Sequence, residues 1–91
     1  MASYDDFITR REGYSGGYPT LKRFRMPVRI IVEMSRQVAN FEELCQAMSH
    51  CTPEELRAAL DYYQDHKDLI EEDIERNRIA WEKVVAGKWR D

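Results

Sequence analysis

Apolar residues recur along this chain at spacings that predict a series of short helices. Ile31, Met34 and Val38, with Val28 and Ile30, fall near helical spacing and predict a first helix over about 27–38. Pro27 suits its first turn, where a missing N–H has no intrahelical partner to lose. Phe41, Leu44, Cys45 and Met48 follow the i, i+3, i+4, i+7 rule and predict a second helix over about 41–49. Asn40 and Glu43 frame its start as a capping box. Thr52-Pro53-Glu54-Glu55 repeats that signature more strongly, with Thr as N-cap, Pro at N1 and Glu at N3. Leu56, Ala59, Leu60 and Tyr63 then line one face of a third helix.

Past Tyr63 two readings stand. Leu56, Leu60, Tyr63, Lys67, Ile70, Ile74, Asn77, Trp81 and Val84 alternate by four and three. That seam fits one helix running to about Ala86, with Gly87 as its C′ residue. Such a helix would be about 50 Å long at 1.5 Å per residue. Alternatively Asp65–Asp68 interrupts it, and Asp68 caps a separate final helix with Glu71 at N3. Lys67 on an apolar seam favours the interruption. The opposite charges of Glu72 and Arg76, and of Arg78 and Glu82, support the last helix in either case.

The amino-terminal third has no helical period. Phe7–Arg10 and Tyr18–Leu21 have strand character and are separated by Gly13, Gly16 and Gly17, so a short hairpin or extended arm is expected. A lone two-stranded ribbon is marginal in water and must lie on the helices or on a second subunit. The expected fold is therefore mainly α. It has an arm over 1–26, a tri-helical helix-turn-helix-like core over 27–64, and a helical extension over 65–91, all within one domain.

Composition adds little to this fold, but charge does. The chain of 91 residues is 43% hydrophobic and 34% charged, as expected of helices with solvated faces. No apolar run approaches the roughly 20 residues that span a bilayer, and Met1–Arg11 shows no signal-peptide pattern, so a cytosolic location is expected. The net charge of −3 is unevenly spread. Residues 1–36 hold seven basic and four acidic side chains (+3), whereas 37–91 hold seven and thirteen (−6). An anion or nucleic acid at one end and a protein at the other would suit this asymmetry, although solvated helices rich in Glu and Arg account for the charge by themselves. Arg10, Arg11, Lys22, Arg23 and Arg25 are the candidate nucleic-acid contacts on the arm, with Arg57 on the third helix. Glu54 and Glu55, at the start of that helix, would repel phosphates.

Catalytic and metal chemistry find no pattern. Cys45, His50, Cys51 and His66 match no usual zinc spacing, and buried thiols are the expectation. The glycines fit neither the phosphate-loop nor the dinucleotide fingerprint, and no His-Glu-x-x-His or nucleophile elbow occurs. The carboxylates of Glu71–Glu75 lie at helical spacing, where most face solvent. No enzyme activity, cofactor or metal is expected. Ile70, Ile74, Asn77, Trp81 and Val84 exceed what three short helices can cover, and predict a partner or homodimer interface, with Asn77 setting register.

The run Gly13-Tyr14-Ser15-Gly16-Gly17-Tyr18-Pro19-Thr20-Leu21-Lys22-Arg23-Phe24-Arg25-Met26-Pro27-Val28 resembles the start of the domain-of-unknown-function family numbered 433, whose members include VapB-type antitoxins. That family reads Gly-Gly-Lys-Pro, two hydrophobic residues, then Gly-Thr-Arg-Ile-Pro-Val. Its last helix opens Thr-x-Glu-x-hydrophobic-x-Ala-Ala-Leu, matched here by the run from Thr52 to Leu60. The likeness spans about residues 8–80. Arg23-Phe24 stands where Gly-Thr is usual, Tyr18 where Lys is common, and Ser49-His50-Cys51 departs from the usual connection. The resemblance implies a helix-turn-helix-like, often dimeric protein paired with a PIN-like ribonuclease toxin. The expected role is an antitoxin-type regulator that neutralises the toxin and represses its own operon through operator DNA. The alternatives are a DNA-binding protein without a toxin, or a homodimeric interaction module.

Overall fold

A computed structural model describes residues 3–10 and 17–88, with side chains over 4–10 and 17–83. The protein is mainly helical, with one short antiparallel strand pair. A 3₁₀ turn (Ser3–Asp6) leads into β1 (Ile8–Thr9), followed by β2 (Thr20–Leu21), α1 (Val28–Ser35), α2 (Phe41–Ala47), α3 (Pro53–Asp65) and α4 (Lys67–Lys88).

β1 and β2 pair with Ile8 opposite Leu21 and Thr9 opposite Thr20. The ribbon is not free-standing, because Ile8, Leu21 and Thr20 are buried on the helices. It also holds the entry to α1. The Val28 amide donates to the Pro19 carbonyl at 3.0 Å and the Leu21 amide to the Met26 carbonyl at 2.9 Å. Pro27 is therefore extended, φ −64° and ψ 139°, and stands just outside α1 as its N-cap. α1 also stops at Ser35, short of Val38. The Arg36 amide turns back to the Glu33 carbonyl, closing the last turn.

The start of α2 follows its cap signal with one shift. The Glu43 amide donates to Asn40 Oδ1 at 2.9 Å, but the Glu43 carboxylate reaches the Ala39 amide rather than that of Asn40. The box at Thr52 is complete: the Glu55 amide donates to Thr52 Oγ1 at 3.1 Å and the Thr52 amide to Glu55 Oε1 at 2.8 Å. The core gathers Val28, Ile31, Val32, Leu44, Met48, Cys51, Leu56, Ala58, Ala59, Tyr62 and Ile70. Tyr62 belongs to this buried set, while Leu60 and Tyr63 are only half-buried. Among the thiols, Cys51 is buried and Cys45 half-buried, and desolvation raises the Cys51 thiol above its ordinary pKa.

The interruption before the last helix is real. His66 alone leaves helical geometry, at φ −138° and ψ 44°. Asp68 lies within the first turn of α4 rather than capping it, and α4 continues through Gly87 to Lys88. The face of α4 that meets the body is also rotated from the predicted seam. Ile70 and Asp73 are fully buried, Ile74 and Asn77 half-buried, and every residue from Arg78 to Lys83 is exposed. Among the described residues, α4 therefore packs on the body through its first turns, and its outer segment from Arg78 to Lys83 is exposed. No helix among the described residues is long and apolar enough to cross a membrane.

Candidate functional site

Three of the basic candidates hold an ordered place on or beside the hairpin. Arg10 follows β1, and its Nε donates to the Gly17 carbonyl at 2.8 Å. Lys22 and Arg25 are exposed in the loop between β2 and α1. A hollow of about 240 Å³ runs between Thr9, Lys22, Arg23 and Arg25, bringing part of the predicted set together. Arg11 lies outside the described residues.

Arg23 is differently employed. Its Nε donates to Glu55 Oε2 and its Nη2 to Glu55 Oε1, both at 2.9 Å, and Nη2 also reaches the His50 carbonyl at 2.6 Å. The guanidinium lies 4.6 Å from the Phe24 ring centroid, and that ring lies 5.7 Å from His50. Arg23 and Phe24, the departure from the Gly-Thr pattern, thus clasp the α2–α3 connection, which departs as well. The Arg23 contact holds the Glu55 carboxyl below its usual range, with the Thr52 amide helping. This pairing occupies the guanidinium that was expected to bind phosphate. Arg57 is exposed and covers the Phe41 ring at 4.5 Å, tying α3 to α2.

The exposed carboxylates lie elsewhere. Glu42 and Glu43 on α2 and Glu54, Asp61 and Asp65 on α3 are all exposed, and Arg57 is the only basic residue on either helix. Glu54, Asp61 and Asp65 sit seven and four residues apart, which places them along one stripe. The −6 of the carboxy-terminal half is thus concentrated on α2, α3 and the first turns of α4. The outer segment of α4 is different, with Arg76, Arg78 and Lys83 against Glu82.

The predicted apolar interface divides in the same way. Ile70 is fully buried in the chain's own core, and Ile74 packs against it while staying half-buried. Asn77 donates to the Asp73 carbonyl at 2.8 Å and to Asp73 Oδ1 at 3.0 Å. Trp81 is 68% exposed and Ile79 40% exposed. The Val84 side chain lies outside the described residues. A groove of about 420 Å³ runs between α1 and α4 along Arg29, Glu33, Ile74, Asn77, Arg78 and Trp81.

Asp73 carried no signal in the sequence, being one carboxylate in an acidic run. It is 1% exposed, and burial pushes its carboxyl upward despite Arg29 and Arg76. Arg29 Nε faces Asp73 Oδ2 at 3.6 Å, an ion pair without a formed hydrogen bond on either atom. Two further ties bind α4. Arg36 from the end of α1 and the Tyr63 hydroxyl both reach Glu71, while the Tyr18 hydroxyl donates to Glu72 beneath Arg76. Among the described residues no three His, Cys, Asp or Glu side chains are grouped to hold a metal ion.

The arrangement of a short ribbon, three helices and a capped Thr-Pro-Glu-Glu start matches a known family. The profile described as "Protein of unknown function (DUF433)" matches residues 8–63. The chain belongs to the DUF433 family. A crystal structure of a DUF433 member protein from Anabaena variabilis is similar, with a TM-score of 0.64 and 31% sequence identity. That similarity covers 75% of this chain and 67% of the other. No curated protein matches significantly. The family span runs from β1 to Tyr63 in α3, so α4 lies beyond it.

Proposed function

We infer that this DUF433 protein is a non-enzymatic, antitoxin-type regulator whose acidic α2–α3 surface seats a basic protein partner, a PIN-like ribonuclease being the expected class. The observation that carries this reading is the set of exposed carboxylates at Glu42, Glu43, Glu54, Asp61 and Asp65, with only Arg57 among them. A single-sign surface of this kind steers and selects an oppositely charged partner. Trp81 and Ile79 on the outer part of α4 add an apolar contact in reach of a large partner.

Direct operator binding by the same protein is favoured by one observation, the basic hollow at Lys22 and Arg25 beside Arg10. α3 itself is a poor reader of DNA, since it presents Glu54 and Asp61 to solvent.

Co-expression with the product of the neighbouring gene tests the main reading. The expected result is a purified complex and relief of that product's toxicity. Both effects should disappear in the triple variant Glu42→Lys, Glu54→Lys, Asp61→Lys while the fold is kept. Toxicity unchanged by the wild-type chain, or a complex indifferent to the three reversals, would count against it.

A further inference from the structure

The junction between α3 and α4 is built from one residue, and its side chain makes the bend. In a continuous helix the His66 amide would donate to the Tyr62 carbonyl, four residues back. Here that amide goes to the Tyr63 carbonyl at 3.1 Å, and His66 Nδ1 bonds the Tyr62 carbonyl instead, also at 3.1 Å. The imidazole therefore substitutes for its own backbone. It is stacked on Tyr62, with centroids 4.1 Å apart, and Tyr4 stands edge-on to both rings. Neither glycine nor proline occurs between Gln64 and Leu69, so nothing in the backbone enforces the break.

Among the described residues, α4 is held beyond this bend by contacts with other parts of the body. Ile70 enters the core, Asp73 meets Arg29, Glu71 meets Arg36 and Tyr63, and Glu72 meets Tyr18. Each of these would be the same if the α4 in place came from another copy. We propose that α4 is an exchangeable arm: straightening at His66 joins α3 and α4 into one helix, and α4 docks on α1 of a second copy, which returns its own.

The occupant of the vacated site is a second copy for two reasons. The site is already shaped to this α4, so exchange costs no new complementarity, the usual basis of reciprocal swapping. It is also selective, because an open chain separates Arg29 from Asp73, leaving Arg29 only Glu33 and Asp73 only Arg76, each at 3.8 Å or more on its own helix. Straightening itself restores the four-back backbone bonds that the bend removes. It also puts Leu56, Leu60, Tyr63, Ile70 and Ile74 on one four-three seam, with Lys67 as its one charged position. This assembly stands apart from the acidic surface assigned above and does not depend on it.

Charge reversal across the pair separates exchange from any other dimer. Arg29→Asp and Asp73→Arg each place like charges together in a closed chain and in its own homodimer. Only a mixed, exchanged dimer gives both variants an opposite charge. The two variants, carrying different tags, are unfolded together in urea and refolded. The expected product is a heterodimer of about twice 10.8 kDa, captured through both tags. His66→Ala, in the wild-type background, removes the Tyr62 cap and should tighten dimerisation about tenfold. A glycine-serine insertion after Asp65 should return the chain to 10.8 kDa. Mass by light scattering reads the last two. Wild-type and His66→Ala chains that both stay at monomer mass at millimolar concentration would overturn the proposal. So would dimers that ignore the insertion, or a mixture that yields no heterodimer.

Discussion

Arg23 and Glu55 meet through two parallel hydrogen bonds of 2.9 Å, across 32 positions of sequence. Glu55 is at once the N3 member of the Thr52 capping box and the anchor of the loop ahead of α1, so one carboxylate joins two elements. Its side chain is 5% exposed whereas that of Arg23 is 54% exposed, which makes Glu55 the more costly partner to lose. Glu55→Ala should destabilise the fold by about 1–3 kcal/mol, lowering the melting midpoint by about 4–8 °C per kcal/mol. Arg23→Ala leaves the box intact and should cost less. A double-mutant cycle by thermal melting should show the two changes to be non-additive; simple additivity would refute their coupling.

The same pair sets a pH dependence. Arg23 and the Thr52 amide depress the Glu55 carboxyl, so its contribution is fully present above the unfolded value of about 4.3. It is lost as pH falls from there through the depressed folded value. Asp73 has the opposite sign: burial raises its pKa, so its ionisation subtracts stability as pH climbs past about 3.9. Urea midpoints between neutral and acidic pH should fall less steeply for Glu55→Gln than for the wild-type chain. Parallel curves would show that Glu55 does not drive the acid loss.

Such local signals explain what was legible in advance. Thr52-Pro53-Glu54-Glu55 specifies a helix start by chemistry confined to four residues, and the structure keeps it to the atom. The sequence admits either a break or a continuous helix before α4, and Lys67 on the seam favours the break. The burial of Asp73 and the employment of Arg23 were not readable, because each depends on a partner far away in sequence, Arg29 or Glu55. Tyr62 was similarly hidden. It is buried because the amino-terminal Tyr4 packs on it, with ring centroids 5.1 Å apart, and no helical period encodes that contact. Ile70 lies in the chain's own core for a related reason: the period marks it as apolar, but says neither that Asp73 is buried beside it nor where the packing of α4 on α1 ends.

The two ends of that face should separate in experiment. Ile70 is fully buried among core side chains, and Ile70→Ala should cost about 2–5 kcal/mol. Trp81, 68% exposed on the outer part of α4, should change stability by no more than about 0.5 kcal/mol when replaced by Ala. If Trp81 contacts a partner, Trp81→Ala should instead weaken the complex, measured by titration calorimetry against the co-purified protein. A strongly destabilised Trp81→Ala chain would mean that the outer part of α4 is covered within the protein itself.

The arm now offers a cleaner test of nucleic-acid binding than its full set of basic residues would. Removing Arg23 disturbs Glu55, so its effect on DNA would be confounded with folding. Arg10, Lys22 and Arg25 are exposed and lie on or beside the hairpin, with Arg10 also holding the Gly17 carbonyl, so a melting curve accompanies the triple variant. If they neutralise phosphates, replacing all three with Ala should flatten the dependence of log affinity on log salt by about 0.9 for each phosphate no longer neutralised. The measurement is fluorescence anisotropy on the protein's own upstream duplex, over a range of salt. A matched variant at Arg57, which rests on the Phe41 ring, should leave the slope nearly unchanged if α3 stays out of the groove. An unchanged slope in the triple variant would remove the arm from nucleic-acid recognition, and a reduced slope for Arg57→Ala would return α3 to it.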